Sequence, residues 1–269
     1  MSIDSHTQLS KQILQHFRDP ESGLVWYLNL TDGRIHRRSS KKLGTITDYY
    51  SADMEQYLCK TVEYNLGNFW SEIADFANGK VSSVTVHEVK EPAVKQYVKA
   101  LIARSDYLMK TFEGKNQTAT LCTPQENHDD FVKALLSGNN KVNRYIEQLQ
   151  VAYLSNQTAQ YFVVPKNGYY CIKFKGRDHL IIPVSPKFAF ILKSSEDVGY
   201  DKNGAVIHHY RIDDENDIYD FNLHALQFEY ALNKDFIAGA RKDDLEALIP
   251  FLEKHRDELE EQRNKLAEG

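Results

Sequence analysis

Two glutamates offer the most direct route to chemistry in this sequence. Glu55 and Glu63 stand eight residues apart in a stretch of helical pattern, and at 3.6 residues per turn that spacing places both within about one face. A carboxylate pair so placed suits acid–base work or metal binding, and it equally makes a solvated flank, because no His or Asp beside it completes a metal-ligand spacing. His6 falls in the first turn of an expected helix, as either a capping or exposed histidine or an acid–base group. Arg104 lies inside an apolar segment. A long arginine there either reaches water along its stem or anchors an ion pair or a phosphate.

Cations gather at Arg34, His36, Arg37, Arg38, Lys41 and Lys42. They form a phosphate-binding cluster if they share a face, or a charged edge strand that resists aggregation if alternation divides them. His128-Asp129-Asp130 points three ways around a helix, Arg177-Asp178-His179 reads as a turn, and the acidic run Asp213 to Asp220 lacks the alternation, Gly and final Glu of a calcium loop. The sequence has no Gly-rich phosphate loop, no G-x-S-x-G elbow, no H-E-x-x-H and no paired Cys or His framework. No metal site and no particular cofactor is expected from it.

The elements that must position these residues follow from periodicity. Asp4 or Ser5 caps a first helix carrying Leu9, Ile13 and Phe17. Leu24 to Leu30 turns back through Thr31-Asp32-Gly33 as a hairpin. Ser51 or Asp53 opens a long helix that carries both glutamates and ends at Asn78-Gly79. A strand over Val81 to Val89 precedes a helix that opens at Glu91-Pro92 and contains Arg104. After a polar loop from Glu113 to Thr123, two helices cover Pro124 to Leu136 and Lys141 to about Ser155. Tyr161 to Ile212 is rich in strands: Tyr161 to Val164 and Tyr169 to Phe174 read as a hairpin through Asn167-Gly168, and Pro183 and Pro186 confine Val184-Ser185 to an edge, a bulge or a loop. Helices close the chain, one over Phe221 to Leu232 and one from near Asp243, kinked at Pro250, with its last turns in solvent.

This block order predicts an α+β fold: a helical first part around a mostly antiparallel sheet formed largely by residues 161–212, then C-terminal helices. The chain reads as a single domain over residues 1–269, with 113–123 as its one candidate interior boundary and 257–269 as an exposed helix end. At 269 residues it is long enough to bury a core without disulfides. Cys59, Cys122 and Cys171 are odd in number and far apart, as reduced thiols are. The net charge of -5 excludes whole-surface attraction to nucleic acid or anionic lipid while leaving a local basic patch open. No apolar run approaches the roughly 20 residues of a membrane span, and the first residues lack a secretory pattern, so a cytoplasmic protein is expected.

Taken in order, these features resemble an uncharacterised, mainly bacterial family known as domain of unknown function four-two-three-eight. His6, Leu14 and Phe17 resemble that family's His-x-x-Pro opening, with Leu9 in place of the proline. Tyr50, Ser51, Glu55, Leu58 and Glu63 resemble its Tyr-Ser-x-x-x-Glu-x-x-Leu helix, Arg104 its helical arginine, Pro183, Ser185 and Pro186 its Pro-x-Ser-Pro, and Asn222 a late asparagine. Pro165-Lys166-Asn167-Gly168 stands where the family carries Ser-Asp-x-Pro, so an acidic residue is missing. The resemblance implies a single-gene anti-phage defence protein, with His6 as acid–base, Glu55 and Glu63 as base or metal ligands, and Arg104 as anion clamp. Arg37, Arg38, Asn167, Ser185 and Asn222 are the candidate binding residues, and a phage protein, a nucleic acid or a nucleotide is the implied partner.

Overall fold

The computed structural model describes residues 4–6, 9–47, 49–64, 66, 75, 91–105, 124–137, 140–174, 177–194 and 209–268. They form helices together with strands in antiparallel pairs, an α+β architecture. The chain divides into two compact units, one of Met1–Gln8, Thr45–Tyr153 and Leu192–His208, the other of Leu9–Gly44, Leu154–Ile191 and His209–Gly269. No helix among the described residues is long and apolar enough to cross a membrane.

The first unit is mostly helical. Its opening strand β1 (Asp4–His6) pairs antiparallel with β4 (Thr45–Thr47), His6 opposite Thr45. His6 therefore sits in a strand, not in a first helical turn. The cap is Ser10, whose Oγ accepts the Ile13 N–H at 3.4 Å, so the helix starts six residues later than the Asp4 cap would require, counting Lys11 as its first residue. Helix α2 (Ala52–Tyr57) begins at Ser51, whose Oγ accepts the Met54 N–H at 3.1 Å. It runs straight into a π-helical turn, Leu58–Glu63. Helix α3 (Glu91–Ala103) buries Val94 and everything from Tyr97 to Ala103, and packs on α4 (Pro124–Ser137), α5 (Lys141–Gln148) and the π-helical turn.

The helix expected to reach Ser155 ends at Gln148. Leu149 turns extended and opens β5 (Leu149–Asn156), in which every residue but Gln150 is buried. Burial on both faces together with β-branched Val151 and aromatic Tyr153 favours a central strand over a one-sided helix. The expected strand over 81–89, the loop over 113–123 and the helix end at 78–79 lie outside the described residues.

In the second unit, helix α1 (Lys11–His16) packs on β8 (Arg177–Ser185) and buries Ile13 and Leu14, with Leu9 and Phe17 buried beside them. The expected first hairpin is present as β2 (Val25–Asn29) and β3 (Arg34–Arg38), turned by Gly33 at φ 71°. Its sheet has the order β3-β2-β11-β6, where β6 is Val164–Pro165 and β11 is Phe236–Gly239. A larger sheet takes the order β10-β5-β9-β8-β7, with β7 Tyr170–Phe174, β9 Phe188–Ser194 and β10 His209–Ile212.

The Asn167-Gly168 turn departs from the expected hairpin. Gly168 adopts φ 76° and donates its N–H to the Pro165 carbonyl at 2.8 Å. Yet β6 pairs with β11 and β7 pairs with β8, so the turn carries the chain from one sheet to another. Pro183 lies inside β8, two residues past the Tyr170–Ile181 pair where the β7 ladder ends, so its missing N–H costs no bond to β7. The acidic run is a helix start: Asp214 accepts the Asn216 N–H at 2.9 Å and opens α6 (Glu215–Leu232), with Glu215 and Asp217 at the end whose partial charge is positive. The closing helix is three pieces, α7 (Lys242–Glu246), α8 (Ile249–Lys254) and α9 (Arg256–Glu268), with Pro250 in the first turn of α8. Helix α9 packs on α6 and buries Leu259, while Leu266 near its end is exposed.

Candidate functional site

The helical unit concentrates polar groups around the end of α3. Two lysines first fix that helix in place. Lys95 Nζ bonds the Glu91 carboxylate at 2.8 Å and the Glu147 carbonyl at 2.9 Å, and Lys99 Nζ pairs with the Glu147 carboxylate. Each satisfies a charge that burial would otherwise make expensive, and Lys95 also caps a carbonyl at the end of α5.

Arg104 follows directly. It is 2% exposed, its N–H donates to the Ala100 carbonyl at 3.0 Å, and its guanidinium lies 6.0 Å from the centre of the Tyr50 ring. Tyr50, itself fully buried, meets Tyr49 edge-on with centroids 4.8 Å apart. His128 of α4 lies over the Tyr49 ring at 4.3 Å, and its Nδ1 is 3.2 Å from the Tyr49 carbonyl. The neighbouring Asp129 accepts the Ser51 N–H at 3.3 Å. Tyr49, Tyr50 and Ser51 are thus held from one side by α4 and from another by Arg104, and Ser51 caps the helix that carries Glu55. Ser105 completes the cluster. It is 1% exposed, and its hydroxyl has no hydrogen-bond partner among the described residues.

Of the four candidate catalytic residues, Arg104 and Glu55 belong to this arrangement, Glu55 through its N–H to the Ser51 carbonyl at 3.0 Å. Glu63 closes the π-helical turn and His6 stands in β1; both side chains lie outside the described residues. The π-helical turn changes the spacing argument for Glu55 and Glu63, because it shifts the hydrogen bonding from i→i+4 toward i→i+5 and so lowers the rotation per residue below the 100° of an α-helix. His128 and Asp129 were legible only as neighbours pointing apart. What brings them to one place is that both reach the same three-residue segment, one by its ring and one by its carboxylate.

The candidate binding residues fall in the other unit. Arg37 and Arg38 are exposed on β3. Asn222 accepts the Val163 N–H at 2.9 Å and donates to the Tyr161 carbonyl at 2.8 Å. Ser185 accepts the Lys187 N–H at 3.4 Å beside the turn between β8 and β9. Asn167 gives both its backbone N–H, at 3.1 Å, and its side-chain amide, at 2.9 Å, to Glu229. These three serve the internal hydrogen bonding of the unit.

Glu229 had no signal in the sequence beyond its place in a helix. It is fully buried, and Asn233 Nδ2 donates to its other oxygen at 3.2 Å. Burial pushes its carboxyl up to about 8, against the pull of the Asn167 and Asn233 donors. Beside it Lys166 and Asp235 form an ion pair at 2.7 Å.

No family model, curated protein or solved structure matches this chain. Among the described residues, no group of three or more His, Cys, Asp or Glu is placed to hold a metal ion. The arrangement around Arg104 is suited to holding an anion: a permanent cation withdrawn from water, a hydroxyl with no partner among the described residues, and an imidazole two rings away.

Proposed function

We propose that this chain is a single-gene anti-phage defence protein of the bacterial cytoplasm, and that its helical unit binds and acts on a phosphate-bearing ligand, a nucleotide or a nucleic acid. The defence half of the reading is supported by the order and spacing of the residues from His6 to Asn222 that resemble a defence-associated family. The chemical half is carried by one observation: the Ser105 hydroxyl, buried and without a partner among the described residues, adjoins Arg104, which is 2% exposed. An orphaned buried hydroxyl costs on the order of 1–3 kcal/mol. A ligand oxygen would recover that cost. In this reading Arg104 clamps the phosphoryl group, Glu55 and Glu63 serve as base, and His6 moves the proton.

The test separates folding from function. Ser105→Ala removes a group that makes no internal bond, so its urea midpoint should equal or exceed that of the parent while phage plating on expressing cells rises at least tenfold. Arg104→Lys, which keeps the charge and loses the planar fork, should also lose protection. Wild-type protection by both folded variants overturns the phosphate reading; wild-type protection by His6→Ala and Glu63→Ala ends the catalytic part.

A second reading has its own support. Tyr57 and Tyr64, 38% and 74% exposed, flank the π-helical turn, and exposed tyrosines are the residues of recognition surfaces. On this reading the protein senses a phage protein without chemistry. Tyr64→Ala should then abolish both protection and recovery of a phage protein from infected cells, with Ser105→Ala fully active.

A further inference from the structure

The hairpin of β2 and β3 lies outside the site around Arg104, and its charge needs a separate account. Strand β3 is the edge of its sheet. Arg34, Arg37 and Arg38 on it are exposed, as are Lys41 and Lys42 just beyond. Several cations elsewhere in this unit are paired: Lys166 with Asp235, Lys234 with Glu260, Arg241 with Asp244 and Lys242 with Glu246. Arg34, Arg37, Arg38 and Lys41 have no carboxylate partner of this kind among the described residues. In a chain of net charge -5, that leaves a local excess of positive charge on one edge. One or two charges suffice to guard an edge strand from aggregation; five cations between Arg34 and Lys42 exceed that need.

Aromatic rings stand among these cations. Alternation places Arg34, His36 and Arg38 on one face about 7 Å apart. Tyr27 is opposite His36 in the register, and their rings meet at a tilt, with centroids 5.4 Å apart and an interplanar angle of 31°. The His36 side chain remains 41% exposed, with its Nε2 3.3 Å from the Asp32 carboxylate. On the other face the Arg37 guanidinium lies 4.7 Å over the Trp26 ring, and Asp19 fixes that ring through its Nε1–H at 3.1 Å. Cations in a row with flat groups between them describe a surface that follows a phosphate backbone and stacks bases. Paired bases in a duplex hide the faces that such groups would stack on.

We infer that the β2–β3 hairpin binds single-stranded nucleic acid, its phosphates along Arg34, Arg38 and Lys41 and a base against the Tyr27–His36 ring pair. This surface does not depend on the reading given to Arg104. Fluorescence anisotropy of the full chain with labelled 15-nucleotide oligo-dT and oligo-U, and with a duplex of equal length, at salt from 50 to 300 mM, tests it. Single strands should bind at least tenfold more tightly than the duplex. A log–log salt slope of about -2 is expected from these three cations at roughly 0.7 each. Arg34→Ala with Arg38→Ala, both at exposed positions, should weaken the slope by about 1.4. Tyr27→Leu, once its fold is verified by circular dichroism, should lower affinity about tenfold with the slope unchanged. Absence of binding at 50 mM salt, equal affinity for the duplex, an arginine double variant that binds as the parent does, or displacement of the oligonucleotide by equimolar acidic peptide would each overturn the inference.

Discussion

Glu229 has a consequence that its hydrogen bonds alone do not suggest. Its folded value of about 8 lies above the 4.5 of the free side chain, so the folded state holds a proton that the unfolded state releases between those limits. The stability linked to it is complete below about pH 4.5 and is lost as pH rises through 8, on the order of a few kcal/mol over that range. We predict that the urea midpoint of the full chain falls from pH 5.5 to pH 8.5 and that Glu229→Gln flattens this decline. At pH 5.5 the variant should lose about 1 kcal/mol, because its amide nitrogen replaces one acceptor facing an asparagine donor. A midpoint in the variant that still falls as steeply would assign the pH dependence elsewhere. Residues of this kind are hidden from sequence inspection. Glu229 reads as one acid among several on α6, and only the approach of Asn167, 62 positions earlier, makes it buried and partnered. Ser51 is the opposite case, since its position before an apolar helix made it, with Asp53, one of two cap candidates, and its hydroxyl forms the cap.

At the scale of elements, local signals located some ends and missed others, such as the cap that Ser10 and not Asp4 or Ser5 supplies. The cap at Ser51 and the Gly33 turn depend on neighbours within four residues, whereas Pro250, expected to kink one helix, stands in the first turn of a separate one. Ser51→Ala should cost about 1 kcal/mol, and Ser51→Asn should restore most of it, as read from paired urea titrations. An equal loss in the asparagine variant would show that Ser51 acts through the Asp129 contact more than as a cap. Sequence inspection failed where burial overrode local preference. Leu149 to Asn156 continued a helical period yet became a strand, because both its faces are enclosed. Phe236 to Gly239 went unrecognised, since four apolar residues between Asp235 and Ala240 are too few to show a period, although their complete burial makes them central. The Asn-Gly turn was correctly located, but its partners were not, because a turn fixes the direction of the chain and not the strand each arm will join.

The α+β class was legible for the whole molecule because it depends only on which blocks are helical and which extended. The division of the chain was not. It passes between the two units five times, at Gln8, Gly44, Tyr153, Ile191 and His208. Interleaved segments leave no shift in composition for a reader of the sequence to find. The same interleaving explains the fate of the candidate site: His6, Glu55, Glu63 and Arg104 share one unit although 98 positions separate the first from the last, and Arg37, Arg38, Asn167, Ser185 and Asn222 all fall in the other.

Strand β11 also sets a schedule for biosynthesis. It stands between β2 and β6, pairing Phe236 with Asn29 and Gly239 with Trp26. The first hairpin leaves the ribosome roughly 200 residues before the strand that must flank it. At about 5–20 residues per second, the apolar edge at Leu28 waits on the order of 10–40 s for its partner. Through that interval the nascent chain presents an open edge to chaperones, and truncation before Phe236 would leave that edge open for good.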